Sequence, residues 1–274
     1  MRIVLVTQVP QVAHGVSELL RALGHEPDDV LCSREHAGRY GNAFDTLVRD
    51  APAGLDVVVP AARERMAPLL EAYEPDTFLC FGFPWKIPRD ALAVPRLGAV
   101  NGHPSLLPRY RGPSPVAWAI RNGDDEIGFT LHRMDADLDT GAVLAQAAMS
   151  LGDEHGYDEL QDEFGRILGE LLPRALARLE SGDPGDEQDA SQASYAGFFG
   201  PDYVWVDWQQ PALEVYRQVK AWRFASVAPG ERGALAELGG ETVRILRTSL
   251  EPVDGARAVT CRDGTIWVVE TEAP

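Results

Sequence analysis

Apolar and polar positions alternate in two rhythms along the first hundred residues. Residues 3–6 form an unbroken aliphatic run, the pattern of a strand buried on both faces, and residues 12–23 then repeat apolar side chains at helical spacing. A second extended segment near 29–32 leads into a polar loop, followed by a strand over 55–59 and a helix over 61–73. Residues 77–81 and 97–101 read as further buried strands. Strands that alternate with helices imply a mostly parallel sheet joined by right-handed crossovers. The expected fold is therefore doubly wound, Rossmann-like α/β.

Two β-like runs at 126–134 and 142–149 flank a loop at 135–141 and read as paired strands. Leu160, Phe164, Ile167, Leu168, Leu171 and Leu172 recur at three and four residues, which predicts an amphipathic helix over 157–179 with a kink expected at Pro173. Residues 180–194 are rich in Gly, Asp and Ser and read as a linker. A helix over 211–222 and short strand-like runs at 233–238, 242–248, 256–261 and 265–270 fit a helix with a small OB-like β-barrel. The expected division is a large domain over 1–180, a linker over 181–195 and a small domain over 196–274.

Composition narrows the class. The longest apolar runs, 3–6 and 78–83, fall far below the roughly 20 residues needed to span a bilayer. The start passes from one arginine directly into a β-like run, unlike a signal peptide, so a cytoplasmic location is expected. Cys32, Cys80 and Cys261 lack metal or disulfide spacing and read as reduced, packed thiols, with no metal expected. The formal net charge of −17 repels polyphosphate at long range and disfavours nucleic acid as a partner.

The densest chemistry lies in Asn101-Gly102-His103 followed by PSLLPRYRGPSP, residues 104–115. The two-residue period of a strand puts Asn101 and His103 on one side, at the carboxyl edge where open α/β sheets bind ligands. Four prolines in the next twelve residues predict an extended loop. An imidazole that changes charge near neutrality and an amide that can donate to a developing oxyanion suit acyl transfer to an amine. A carboxylate is then wanted to orient the imidazole. MDADLDTG, residues 134–141, offers Asp139, with Asp135 and Asp137 as competitors. Taken singly, each string is more often a turn than a site.

Together, NGHPSLLPRYRG at 101–112, DTG at 139–141 and the upstream CFGFPWKIPRDALAVPRLGAVNGHP at 80–104 resemble the folate-dependent formyltransferase family, closest to its methionyl-tRNA formyltransferases. The resemblance implies a catalytic domain over 1–180, 10-formyltetrahydrofolate as donor, and Asn101, His103 and Asp139 as the catalytic asparagine, histidine and aspartate. It also implies a pterin slot bordered by Phe83, Trp85, Ile87, Met134, Asp135, Asp137 and Leu138. VWVDWQQPALEVYRQVKAWRF at 204–224 looks like the opening of the family's smaller C-terminal domain.

Two departures weaken tRNA as acceptor. The loop SREHAGRYGNAFDTLVRD at 33–50 balances Arg34, Arg39 and Arg49 against Glu35, Asp45 and Asp50, and residues 196–274 hold eight Lys or Arg against eleven Asp or Glu. Phosphate contacts need positive charge. The expected activity is thus N-formyl transfer to a small amine or hydroxylamine, such as an amino acid derivative, an amino sugar or a biosynthetic intermediate. Methionyl-tRNA formyl transfer is the alternative, and a hydrolase releasing formate is a further possibility. An NAD-dependent oxidoreductase is remote, because the first turn Thr7-Gln8-Val9-Pro10 has no GxGxxG.

Overall fold

The aliphatic run at the start forms β1 (Arg2–Thr7), whose residues Ile3 to Val6 are almost wholly buried. In the computed structural model, residues 1–34, 43–153, 156–225 and 232–274 are described. Residues 35–42 of the charge-balanced loop, with Glu35 and Arg39, lie outside them. Helix α1 (Pro10–Ala22) follows, with Pro10 in its first turn, where a missing N–H costs nothing. The alternation continues through β2 (Glu26–Leu31), α2 (Ala43–Arg49), β3 (Asp56–Val58), a 3₁₀ turn (Arg63–Arg65) running into α3 (Met66–Tyr73), β4 (Thr77–Phe81), α4 (Arg89–Leu92) and β5 (Ala99–His103). These five strands are parallel. After α5 (Pro115–Asn122), β6 (Glu126–Arg133) runs antiparallel to β5, with β7 (Val143–Ser150) beside it. The sheet order is β3-β2-β1-β4-β5-β6-β7, so the doubly wound α/β expectation holds.

Alternation along the strands explains the double burial. Val4, Val6, Phe78, Cys80 and Ala99 face Met66, Ala67 and Leu70 of α3 and Ala91 of α4, while Ile3, Leu5 and Leu79 point to the other face by the period of two. Strand β5 begins two residues later than the apolar pattern implies. Gly98 turns at φ 80° and Leu97 N–H bonds Asp76 O at 2.9 Å, so extended pairing starts at Ala99 and carries Asn101 and His103 inside the strand.

The long helix α6 (Tyr157–Glu180) is continuous through Pro173. The stretch expected as a linker is tied down along much of its length. Arg133 donates to the carbonyls of Asp183 (2.7 Å) and Pro184 (3.0 Å), and Asp186 exchanges both backbone hydrogen bonds with Val143 at 2.8 Å. Arg178 pairs with Asp183 and Asp186 at 2.9 and 2.8 Å. Its polar side chains and backbone satisfy partners on the large unit.

The chain divides into two units that do not follow chain order. One comprises residues 1–111, 128–149 and 161–194; the other comprises 112–127, 150–160 and 195–274. In the second unit, α7 (Ala212–Phe224) accompanies an antiparallel half-barrel sheet of β8 (Ala234–Leu238), β9 (Glu241–Ser249), β10 (Arg257–Thr260) and β11 (Thr265–Glu272), in the order β10-β11-β9-β8. Its core includes Trp118 of α5, Phe199, Tyr203 and Trp222, with the Arg121 guanidinium over the Tyr203 and Trp118 rings at 4.1 and 4.6 Å. Helix α5 was not legible among the prolines of 104–115, because Pro115 is its first residue and not part of the loop. No helix among the described residues is long and apolar enough to cross a membrane.

Candidate active site

Strands β5 and β6 bring the polar groups together. Asn101 and His103 share one face of β5, and antiparallel pairing sets His132 of β6 directly opposite Asn101. Gly102 points the other way, where a Cβ would meet the Phe81 ring at 2.3 Å, so nothing larger than glycine fits between the two polar residues. Asp139 arrives from the loop joining β6 to β7. Its carboxylate accepts from Asn101 Nδ2 at 3.3 Å and lies 3.7 Å from His103 Nδ1 and 3.6 Å from His132 Nε2.

Carbonyl acceptors fix the tautomers of both imidazoles. His103 Nε2 faces Tyr110 O at 2.8 Å; a carbonyl can only accept, so Nε2 carries the proton and Nδ1 presents a lone pair toward Asp139 in the neutral ring. His132 Nδ1 likewise donates to Arg133 O at 2.8 Å, which leaves its Nε2 as acceptor for Asn101 Nδ2 at 3.1 Å. Asn101 therefore turns its NH₂ toward two acceptors, and the bond to Asp139 is the longer of the two. Burial pushes the His103 pKa below its ordinary value, against the Asp139 charge that favours the imidazolium. The neighbouring Cys80 thiol, buried and close to the Asp139 charge, is pushed up to about 12.

The loop before β7 has its own frame. Asp135 Oδ1 accepts from Asp137 N–H (3.0 Å) and from the Thr140 hydroxyl (2.6 Å), so Asp135 braces the turn while Asp139 faces the imidazoles. Asp139 is held at φ 57°, in the left-handed region. Gln188 Nε2 donates to Asp139 O at 3.0 Å and to Gly141 O at 2.8 Å. A small cavity, open to solvent, lies beside Asn101, His132 and Asp139, walled by Lys86, Ile87, Met134, Asp135, Asp137 and Leu138.

Five of the seven expected slot residues thus line this cavity: Ile87, Met134, Asp135, Asp137 and Leu138. Phe83 and Trp85 do not. They pack edge to face at 5.5 Å, partly buried against the core beneath α3 and α4. His132, Lys86 and Gln188 were missed in the sequence. A strand's period of two puts His132 on one face of β6, but only the register with β5 sets it against Asn101. Among the described residues, no group of His, Cys, Asp or Glu is arranged to hold a metal ion.

Comparison with known proteins decides the family. The Formyl transferase pattern matches residues 51–176. A methionyl-tRNA formyltransferase of Herpetosiphon aurantiacus is 32% identical over 273 residues, covering 96% of this chain and 83% of that one. The chain belongs to the formyl transferase family. A methionyl-tRNA formyltransferase of a Synechococcus species is 36% identical over 181 residues, which cover 66% of this chain and 54% of that protein's length; this chain spans about half of that relative. Among solved structures, WlaRD, a sugar 3N-formyl transferase crystallised in the presence of dTDP and 5-N-formyl-THF, superposes with a TM-score of 0.68 at 15% identity, over 99% of this chain and 97% of that one. At that identity the likeness concerns the fold alone. The matched region of this formyl transferase contains Asn101, His103, Asp139 and the cavity walls, and stops short of Gln188.

Proposed function

We propose that this formyl transferase moves the formyl group of 10-formyltetrahydrofolate to a primary amine or hydroxylamine of a small molecule in the cytoplasm. What carries the reading is the chain of contacts from Asn101 through Asp139 to His103, with no separation above 3.7 Å, in which Asn101 and Asp139 line one cavity and His103 is buried behind Asp139. The cavity suits a reduced pterin in kind: Ile87, Met134 and Leu138 offer an apolar wall, Asp135 and Asp137 offer acceptors for its N–H edge, and Lys86 offers charge for the glutamate carboxylates. When bound, the donor supplies the formyl carbonyl that the amine attacks.

The residues then divide the work. His103, kept neutral by burial, takes the amine proton on Nδ1, and the Asp139 carboxylate stabilises the imidazolium so formed before the proton passes to the departing nitrogen. Asn101 turns the N–H of its longer bond from Asp139 to the formyl oxygen as negative charge gathers there. His132, accepting from Asn101, fixes which way that amide points.

A small acceptor is favoured by the −17 charge and by the acidic balance of residues 196–274. The second reading, formylation of methionyl-tRNA, draws on the named function of the Herpetosiphon relative. Purified protein incubated with labelled donor and a panel of amino sugars, amino acid derivatives and methionyl-tRNA separates the two. Label transfer to a small amine is expected; rapid transfer to methionyl-tRNA alone would establish the second reading. Formate released at the same rate without any amine would instead mark a hydrolase.

A further inference from the structure

We propose that Gln188, in the stretch that reads as a linker, is a positioning residue that holds the Asp139 carboxylate against Asn101 and His103. The inference rests on the role given to Asp139 above. Its basis is a side-chain amide with every hydrogen-bonding position used. Nε2 donates to the carbonyls of Asp139 (3.0 Å) and Gly141 (2.8 Å), and Oε1 accepts from Arg111 Nε (3.1 Å) and Nη2 (2.7 Å). Arginine can only donate and a carbonyl can only accept, so the amide has one orientation.

The arrangement joins the two loops that carry the chemistry. Arg111 ends the loop that also supplies Tyr110 O to His103, while Asp139 and Gly141 belong to the aspartate loop. Gln188 itself is launched from a fixed base, since Asp186 pairs with Val143 and Arg133 grips the carbonyls of Asp183 and Pro184. Asp139 needs such support. A non-glycine residue at φ 57° persists only where its surroundings over-determine it, and Gln188 supplies a bond at that residue and another two residues on. Without them the backbone relaxes toward commoner angles and the carboxylate swings out of reach of Asn101.

Two variants separate positioning from mere anchoring. Gln188→Ala removes both ends of the link. Gln188→Glu keeps an acceptor for Arg111 but has no N–H for the two carbonyls. Positioning predicts that both lower kcat, by about 10- to 100-fold for a displacement near 1 Å. Donor KM should change less than about threefold and the melting temperature little, and Gln188→Ala should cause no further loss in an Asp139→Asn background. Restoration of kcat by Gln188→Glu, wild-type kcat in Gln188→Ala, or additive losses in the double variant would overturn the proposal.

A readout independent of turnover is the NMR titration of the His103 imidazole in the free protein. The titratable groups facing that ring are Asp139, which favours its charged form, and His132, which opposes it. His132 is common to all variants, so Gln188→Ala should lower the titration midpoint in the direction of Asp139→Asn, and an unmoved midpoint refutes positioning. If the wild type transfers formyl to no amine, the functional reading fails, and the imidazole titration still decides the role of Gln188.

Discussion

A single methyl group at Gly141 tests the architecture of the site. A Cβ there would lie 1.9 Å from Arg133 O, whereas real Cβ atoms essentially never approach closer than 3.0 Å, so the backbone must give by roughly 1 Å. No side-chain rotation relieves this, because the atom struck is main chain. That carbonyl accepts the His132 Nδ1 proton at 2.8 Å, and Gly141 O accepts from Gln188 at 2.8 Å, so the displacement reaches both the imidazole that orients Asn101 and the loop that carries Asp139. Overpacking of this kind costs about 1–3 kcal/mol of stability. A misplacement near 1 Å costs about 10²-fold in rate, or about 2.7 kcal/mol of activation free energy. Gly141→Ala should therefore remain folded by circular dichroism, melt a few degrees lower and lose about two decades of kcat for formyl transfer. A folded variant whose kcat stays within about threefold of wild type would refute the geometric argument.

Further predictions follow from single groups. Asn101→Ala should cut kcat by about 10²–10³ with the fold intact, the usual loss for an oxyanion donor, and wild-type turnover would remove the amide from the chemistry. Because burial lowers the His103 pKa in the free protein, the acid limb of a kcat/KM–pH profile should lie below 6.5, with activity lost as the base protonates; a limb above 6.5 contradicts this. Asp29 on β2 is 2% exposed, has one carboxylate oxygen without a partner, and is pushed from 3.8 up to about 6, first by burial and then by Asp28 and Asp56. The folded state thus holds this proton more tightly than the unfolded chain, so the ionised group costs stability above pH 6, roughly 3 kcal/mol, and the cost fades as pH falls toward 4. Asp29→Asn should raise the urea midpoint at pH 7.5 far more than at pH 4, and equal shifts at both would refute the assignment. The Cys80 thiol, pushed up to about 12, should resist alkylation in the native protein at pH 8 and react on unfolding.

How much of this was legible in the chain depends on where each interaction is encoded. Strands β1 and β4 could be read directly, because a strand covered on both faces has no polar side and appears as an unbroken apolar run. The Asn101 and His103 pair was legible through the period of two, even though β5 starts two residues later than its apolar pattern implies. His132 was not, because its partnership with Asn101 is a matter of register between strands, which one strand's pattern does not contain. The three aspartates at 135, 137 and 139 are equivalent by composition; the left-handed turn at Asp139 and the Asx turn made by Asp135 distinguish them, and both are conformational facts. Gln188 shows the limit most sharply. Polar, glycine-rich sequence is normally solvated, and the same residues serve equally well to saturate half-buried carbonyls, because water and a backbone oxygen both satisfy an amide. Composition reports that residues 180–194 cannot form a core, and only geometry reports that one of them completes a site. It follows that polar segments flanking an apolar domain are where sequence reading will most often mistake a structural tether for a tail, and that the test of such a segment is the removal of one donor at a time.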